Sequence, residues 1–378
     1  MKITFPHMGF MHIPLKSLLQ GLHREVVVPP PISERTLALG VKYAPEFACL
    51  PLKIGLGNYI EALEAGADTI LMAGGWGPCR FGYYAQVQRD ILRDLGYDFH
   101  MVILEAPDSR LSQLLHQLKQ LGEKVSFMEA IEAIRFAWYK LAALEKAEEH
   151  YLYVLPRSSE KEEAERIWED TLVHIDQAQS RKAIDGIVSS AIKAWNCLEQ
   201  HSQPILRIGL VGEVYTVLEP YSNQHIIRSL GRLNAEVTNS IKLTEWLNDH
   251  LFKGHLLKSR QEHIVDCARP YLASRVGGHG LETVGTTVDF AHQGYDGVIQ
   301  IGPLTCMPEI VAQSILLRVA KEEQIPCMTL YFDEHSANAG ITTRLEAFTD
   351  MLRRRKAARV NGSSLQRGGS KSALLSGG

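Results

Sequence analysis

Short apolar runs alternate with stretches of helical periodicity through residues 1–110. Lys2–Phe5, Glu25–Val28, Thr69–Ala73 and Phe99–Leu104 are apolar segments of strand length. Between them, Ile54–Ala65 and Gly82–Leu95 repeat their apolar positions at helical spacing, and Gly66 and Gly96 stop them. Pro29-Pro30-Pro31 ends the second strand and opens a loop. This rhythm predicts βαβ units, hence a parallel sheet with helices on its faces.

From about Ser112 to Glu199 the pattern turns helical and rich in charge. Phe127–His150 and Ser159–Gln179 carry Glu, Lys and Arg at spacings that pair on a solvated helix face. The strand rhythm resumes at Ile205–Gly212 and continues near Glu236–Val237, Gly297–Ile301 and Cys327–Phe332, with helices predicted over Met307–Lys321 and Thr343–Arg355. The expected architecture is α/β, with two parallel-sheet domains joined by a helical segment. Their bounds are 1–110, 111–204 and 205–350, and residues 351–378 form the end of the last helix and a disordered basic tail.

The chain has 378 residues, 45% of them hydrophobic and 22% charged, as expected of a globular protein able to bury two cores. The net charge of −3 is unevenly placed. From Met351 onward there are seven Lys or Arg and no acid, so residues 1–350 carry −3 − 7 = −10. An acidic body of this kind gives no sign of nucleic-acid binding. Met1-Lys2-Ile3-Thr4-Phe5-Pro6-His7 lacks the features of a signal peptide, and no apolar run reaches the length of a membrane span. The expectation is a cytoplasmic protein without a membrane partner, whose six cysteines are reduced or metal-bound.

Three of those cysteines stand beside glycine or proline where an apolar run meets a helix. They are Cys49 in Ala48-Cys49-Leu50-Pro51, Cys79 in Gly74-Gly75-Trp76-Gly77-Pro78-Cys79-Arg80, and Cys306 in Pro303-Leu304-Thr305-Cys306-Met307-Pro308. A helix N-terminus offers partial positive charge and free N–H groups, which stabilise a thiolate or an anionic cluster. Proline two residues after Cys49 and Cys306 suits a first helical turn. Iron–sulfur ligation is therefore one expectation, although the spacing matches no short ferredoxin run. A zinc site and a catalytic thiol at Cys79 remain as rivals, with no close cysteine pair and no indicated base to support them. Cys197, Cys267 and Cys327 lack such flanks and are expected to be small buried hydrophobes. Cys49-Leu50-Pro51 and Cys306-Met307-Pro308 also hint at a duplication.

Val276-Gly277-Gly278-His279-Gly280-Leu281-Glu282-Thr283-Val284-Gly285 is the densest glycine cluster. It could cradle a phosphate, crowd against the second sheet, or approach a cluster closely; Gly277, Gly278, His279 and Gly280 are the candidate cofactor-binding residues. Glu213 and Tyr215 follow Ile205–Gly212 at the carboxyl edge of a predicted strand, where open α/β sheets bind ligands. Asp333-Glu334-His335 follows Cys327–Phe332 in the same way. Glu213, Tyr215 and His335 are the candidate proton-transfer residues.

Thr4–His7, Glu46–Pro51, Gly57–Leu63, Gly74–Tyr84, Gly277–Gly285, Thr305–Ile310 and Asp333–Phe348 together resemble the acyl-CoA dehydratase activase-related proteins. These are also called CoA protein activases, and they are relatives of the 2-hydroxyacyl-CoA dehydratase subunits. The resemblance covers about residues 1–350. It implies Rossmann-like domains and a [4Fe–4S] cluster on the positions matching Cys49, Cys79 and Cys306. It also implies low-potential electrons from a separate ATP-dependent activator with an actin-like fold, for reductive or radical dehydration of a CoA-linked or small substrate. The activator's Asp-x-Gly-Ser/Thr motif is missing here, so the chain resembles the cluster-bearing partner, in a homo- or heterodimer. The competing expectations are an iron–sulfur electron carrier or assembly factor without a substrate, and a nucleotide-binding regulatory protein built on Gly277–Gly285.

Overall fold

The computed structural model describes residues 1–75, 79–104, 125–245 and 260–369, with side chains to residue 359. Trp76, Gly77 and Pro78, the start of the predicted helical segment at 112–124, and the tail residues 370–378 lie outside the described residues. Two four-stranded sheets, each wholly parallel, form the framework. The first contains β1 (Lys2–Thr4), β2 (Glu25–Val26), β3 (Thr69–Ala73) and β4 (His100–Leu104) in the order β2-β1-β3-β4. The second contains β5 (Leu206–Gly212), β6 (Ala235–Asn239), β7 (Gly297–Pro303) and β8 (Cys327–Phe332) in the matching order β6-β5-β7-β8. The protein is thus α/β with two Rossmann-like sheets, and β7 is buried along its whole length. Among the described residues, no helix is long and apolar enough to cross a membrane.

Local sequence sets the helix ends. Helix α1 spans His12–Gly21, and α2 (Glu34–Tyr43) starts in a capping box in which Ser33 Oγ accepts from the Thr36 amide and Thr36 Oγ1 from the Ser33 amide. Helix α3 (Leu50–Glu64) begins one residue after Cys49 with Pro51 in its first turn, four residues earlier than the periodicity predicts. Helix α4 covers Tyr84–Asp94, and Gly66 and Gly96 close α3 and α4 at φ +96° and +88°.

Helix α3 is the element on which both sheets pack. Twelve of its fifteen residues are buried, far more than a one-sided surface helix covers. Leu52, Leu56, Tyr59 and Ile60 belong to the core of the first sheet, whereas Leu50 and Ile54 belong to that of the second. Helices α2 and α3 approach through reciprocal glycines. A Cβ on Gly40 would lie 1.8 Å from the Lys53 carbonyl oxygen, and one on Gly57 1.9 Å from that of Thr36. The buried Lys53 ammonium pairs with Glu334, just beyond β8, and so ties α3 to the second half.

The helices between the sheets are more than a solvated spacer. Helix α5 (Phe127–Val154) starts in a Ser126–Glu129 capping box and buries Ala130 and Ala133 in a core with Ile3, Phe5, Leu19 and Leu71. Helices α6 (Lys161–Gln177) and α7 (Arg181–Asn196) pack with it around the fully buried Trp195. The second half adds α8 (Val214–Leu218), α9 (Ile226–Arg232), α10 (Arg260–Ala268), α11 (Gly280–His292), α12 (Met307–Glu322) and α13 (Asn338–Gly369). Helix α13 continues past Arg355, where the composition predicts a disordered tail. The basic side chains dock there: Lys356 Nζ donates to Asp296 Oδ2 at 2.8 Å, and Arg355 to the Gln324 carbonyl at 2.7 Å.

Because both glycine contacts meet backbone oxygen, Gly57→Ala forces α2 and α3 apart. We expect a loss of about 2–3 kcal/mol or more in urea denaturation. A second expectation concerns acid. His7 is buried, and desolvation, helped by the neighbouring His12, lowers its pKa from 6.5 to about 4. The folded chain then resists the proton that the unfolded chain accepts. His7 therefore contributes stability that is present above pH 6.5 and lost as pH falls towards 4, about 3 kcal/mol in all. His7→Gln should flatten that part of the stability–pH curve.

Candidate functional site

The carboxyl ends of β3 and β7 lead to Cys79 and Cys306, and one arginine links their turns to the turn before Cys49. Cys49 caps α3, Cys306 caps α12, and Cys79 caps a 3₁₀ turn (Arg80–Tyr83) that runs into α4. Arg80 ties the three turns together. Its guanidinium donates to the Phe47 carbonyl at 3.1 Å, to the Thr305 carbonyl at 2.9 Å and to Thr305 Oγ1 at 3.1 Å. Phe47 lies two residues before Cys49, and Thr305 directly precedes Cys306. Thr305 has φ +69°, a region that a β-branched residue enters only under constraint, at a cost of order 1–3 kcal/mol. Arg80 holds this strained residue, and with it the direction in which the Cys306 turn leaves β7.

Burial governs the thiols. Cys49 is buried beside the Tyr84 hydroxyl, and Cys79 and Cys306 are half-buried. Desolvation raises the pKa of Cys49 against the lowering influence of Tyr84 and Arg80. Desolvation also raises that of Cys306, helped by the charges of Glu309, Glu213 and Cys49, while the Glu309 amide opposes it. The helix N-terminus was expected to depress these pKa values; the cost of burying charge outweighs it. Tyr84 is raised by burial and by its nearness to Cys49, Glu213 and Cys79, which draws all three sides of the site into one electrostatic neighbourhood.

Two carboxyls stand close by. Glu213 accepts from the amides of Tyr215 and Thr216 at 3.0 and 2.9 Å and thereby caps α8. Glu309 was not singled out by sequence reasoning, although it sits three residues after Cys306. It is fully buried, accepts from Gln300 Nε2 at 2.9 Å and from Thr283 Oγ1 at 3.1 Å, and burial raises its pKa to about 7. The hydroxyl of Tyr215 is buried without a hydrogen-bond partner, and burial raises its pKa. His335 is exposed, while its neighbours Asp333 and Glu334 are engaged with Ser336 and Lys53.

The glycine cluster adjoins the Cys306 turn. Gly277 and Gly278 take φ +86° and +47°, and His279 caps α11 without a side-chain capping bond. A Cβ on Gly280 would lie 2.6 Å from the Pro308 carbonyl oxygen, and one on Gly278 3.0 Å from the Pro308 ring. Close approach of α11 to α12 is therefore a sufficient reason for these glycines. Of the remaining cysteines, Cys197 is exposed at the end of α7 and Cys327 is partly buried in β8, where burial raises its pKa to about 12. Cys197, being exposed, is not the buried hydrophobe expected, whereas Cys267 is partly buried against the core of Ala268, Leu281 and Val288, with its sulfur 3.7 Å from His263 Nε2. The spacing of His263 and Cys267, one helical turn apart, was the signal available.

No known family model matches the chain, and no curated protein matches it.

Removing the Arg80 tether should free the Cys306 turn from its strained conformation. We expect Arg80→Met to keep the fold, lose about 1 kcal/mol, and raise amide exchange at Thr305–Met307 more than elsewhere. Unchanged exchange there would mean that Arg80 does not hold the turn.

Proposed function

We propose that the chain binds one [4Fe–4S] cluster through Cys49, Cys79 and Cys306. In this reading it is the cluster-bearing partner of a separate ATP-dependent activator, in reductive or radical dehydration of a small or CoA-linked substrate. The observation that carries the proposal is the joining by Arg80 of three cysteine turns from distant parts of the chain. The donor chemistry fits, since three cysteine thiols are the ligands that iron–sulfur clusters take. Structural zinc sites draw their cysteines in close sequence pairs, and these three form none.

Such a cluster supplies single electrons at low potential. The residues of the chain do the rest. Cys49 and Tyr84 close the buried side of the site to water, Arg80 orients the other two turns, and Glu213 and Tyr215 stand at the crevice of the second sheet. Exposed apolar side chains lie close in sequence to the three cysteines: Phe47, Tyr83, Leu304, Met307 and Ile310. Side chains of this kind suit docking of an electron-donating protein.

Anaerobic reconstitution of the full chain should give about four irons and four sulfides, with an EPR signal after dithionite reduction. Single Cys49→Ala, Cys79→Ala or Cys306→Ala variants should lose or degrade the cluster, while Cys197→Ala, Cys267→Ala and Cys327→Ala keep it. Full iron content in the first three variants would overturn the proposal, and dependence on all six cysteines would replace it with a larger cluster.

A further inference from the structure

We propose that His263, Cys267 and Asp289 form a second, separate metal site that takes a single zinc-type divalent ion. His263 and Cys267 lie one turn apart on α10, so both reach the same side of that helix, where α11 presents Asp289. His263 Nε2 is 3.1 Å from Asp289 Oδ1 and 3.7 Å from Cys267 Sγ, and all three ligand atoms fall within 4.8 Å of one another. A tetrahedral zinc ion with ordinary bond lengths holds nitrogen and oxygen about 3.4 Å apart and nitrogen and sulfur about 3.6 Å apart. A plain His–Asp hydrogen bond would account for the first distance. The sulfur brought beside the same nitrogen makes the group a three-donor set.

The surroundings have the form of a ligand shell. The second oxygen of Asp289 accepts from Gln293 Nε2 at 2.8 Å, which fixes the carboxylate and leaves Oδ1 turned to His263. Two of the donors, His263 and Cys267, line a cavity of about 330 Å³ together with Tyr271, His292 and Glu323. Glu323 is already held by Tyr271 Oη at 2.6 Å and by His292 Nε2 at 3.2 Å, so the fourth position on the ion is left to water or a small ligand. On binding, the Cys267 thiol releases its proton to solvent and the imidazole keeps its proton on Nδ1. One thiolate and one carboxylate then neutralise a divalent ion. A thiolate with an imidazole selects zinc, or cobalt as its spectroscopic substitute, over magnesium and calcium.

The test uses the full-length protein, stripped of metal under reducing conditions and titrated with Co²⁺ and then Zn²⁺. The unaltered chain should show a thiolate-to-cobalt charge-transfer band with tetrahedral d–d bands, displaced by one equivalent of zinc. Cys267→Ser should remove that charge-transfer contribution, and His263→Gln and Asp289→Asn should weaken zinc binding at least about tenfold. His292→Gln, on the cavity wall, should leave zinc affinity within about twofold. Spectra and zinc uptake identical in Cys267→Ser, His263→Gln and the unaltered chain would overturn the site. Equal loss in His292→Gln would overturn this donor set. Iron content at Cys49, Cys79 and Cys306 bears on neither outcome.

Discussion

Everything near the cysteine turns depends on α3 being buried from both sides. Its apolar side chains divide between two cores, and each fully buried aliphatic contributes about 1.5–3 kcal/mol. No surface of the helix is left for a third arrangement. The reciprocal contacts of Gly40 and Gly57 fix its depth, and the Lys53–Glu334 pair fixes its position against the second half. A buried pair of that kind is weak evidence for stability, but loss of one partner strands a charge, so it opposes displacement. Cys49 caps this helix. Its place relative to Cys306 is thus inherited from the packing of two cores rather than from loop conformation.

The strands were legible because buried parallel strands are continuous apolar runs, and Thr69–Ala73 and Cys327–Phe332 fell where the pattern put them. Helices buried all round were less legible. Helix α11 looked like a glycine cluster because Gly285 and Gly280 serve close packing; a Cβ on Gly285 would lie 2.1 Å from the Ile264 carbonyl oxygen. Pro51 marked the start of α3, but its periodicity was broken by Lys53, whose charge is satisfied only in the folded chain. The cysteine turns stood out through their glycines and prolines. Arg80 could not, because its three acceptors come from turns separated by more than two hundred residues. Glu309 was hidden for the same reason, its partners Thr283 and Gln300 lying on other elements.

The matching strand orders of the two sheets also decide what corresponds to what. Cys79 follows β3 and leads into the helix before β4, and Cys306 follows β7 and leads into the helix before β8. These two are the equivalent pair. The counterpart of Cys49 is His279, which caps α11, the helix that precedes β7. The similarity of Cys49-Leu50-Pro51 to Cys306-Met307-Pro308 therefore joins positions that do not correspond, and its source is local: proline is favoured in the first turn of any helix. The two halves contribute unequally, one with two cysteines and the other with one cysteine beside a histidine-capped glycine turn. Packing sets the glycines on either side of His279, since a Cβ on Gly280 would lie 2.6 Å from the Pro308 carbonyl oxygen and one on Gly278 3.0 Å from the Pro308 ring. What the halves share is the direction of their helices, whose N-termini meet at the carboxyl edges of both sheets. Burial favours the neutral thiols of Cys49 and Cys306, against those helix dipoles. In the proposed function, the cations of a bound group would supply the charge that the protein alone withholds, so loading would release protons and weaken as the pH falls.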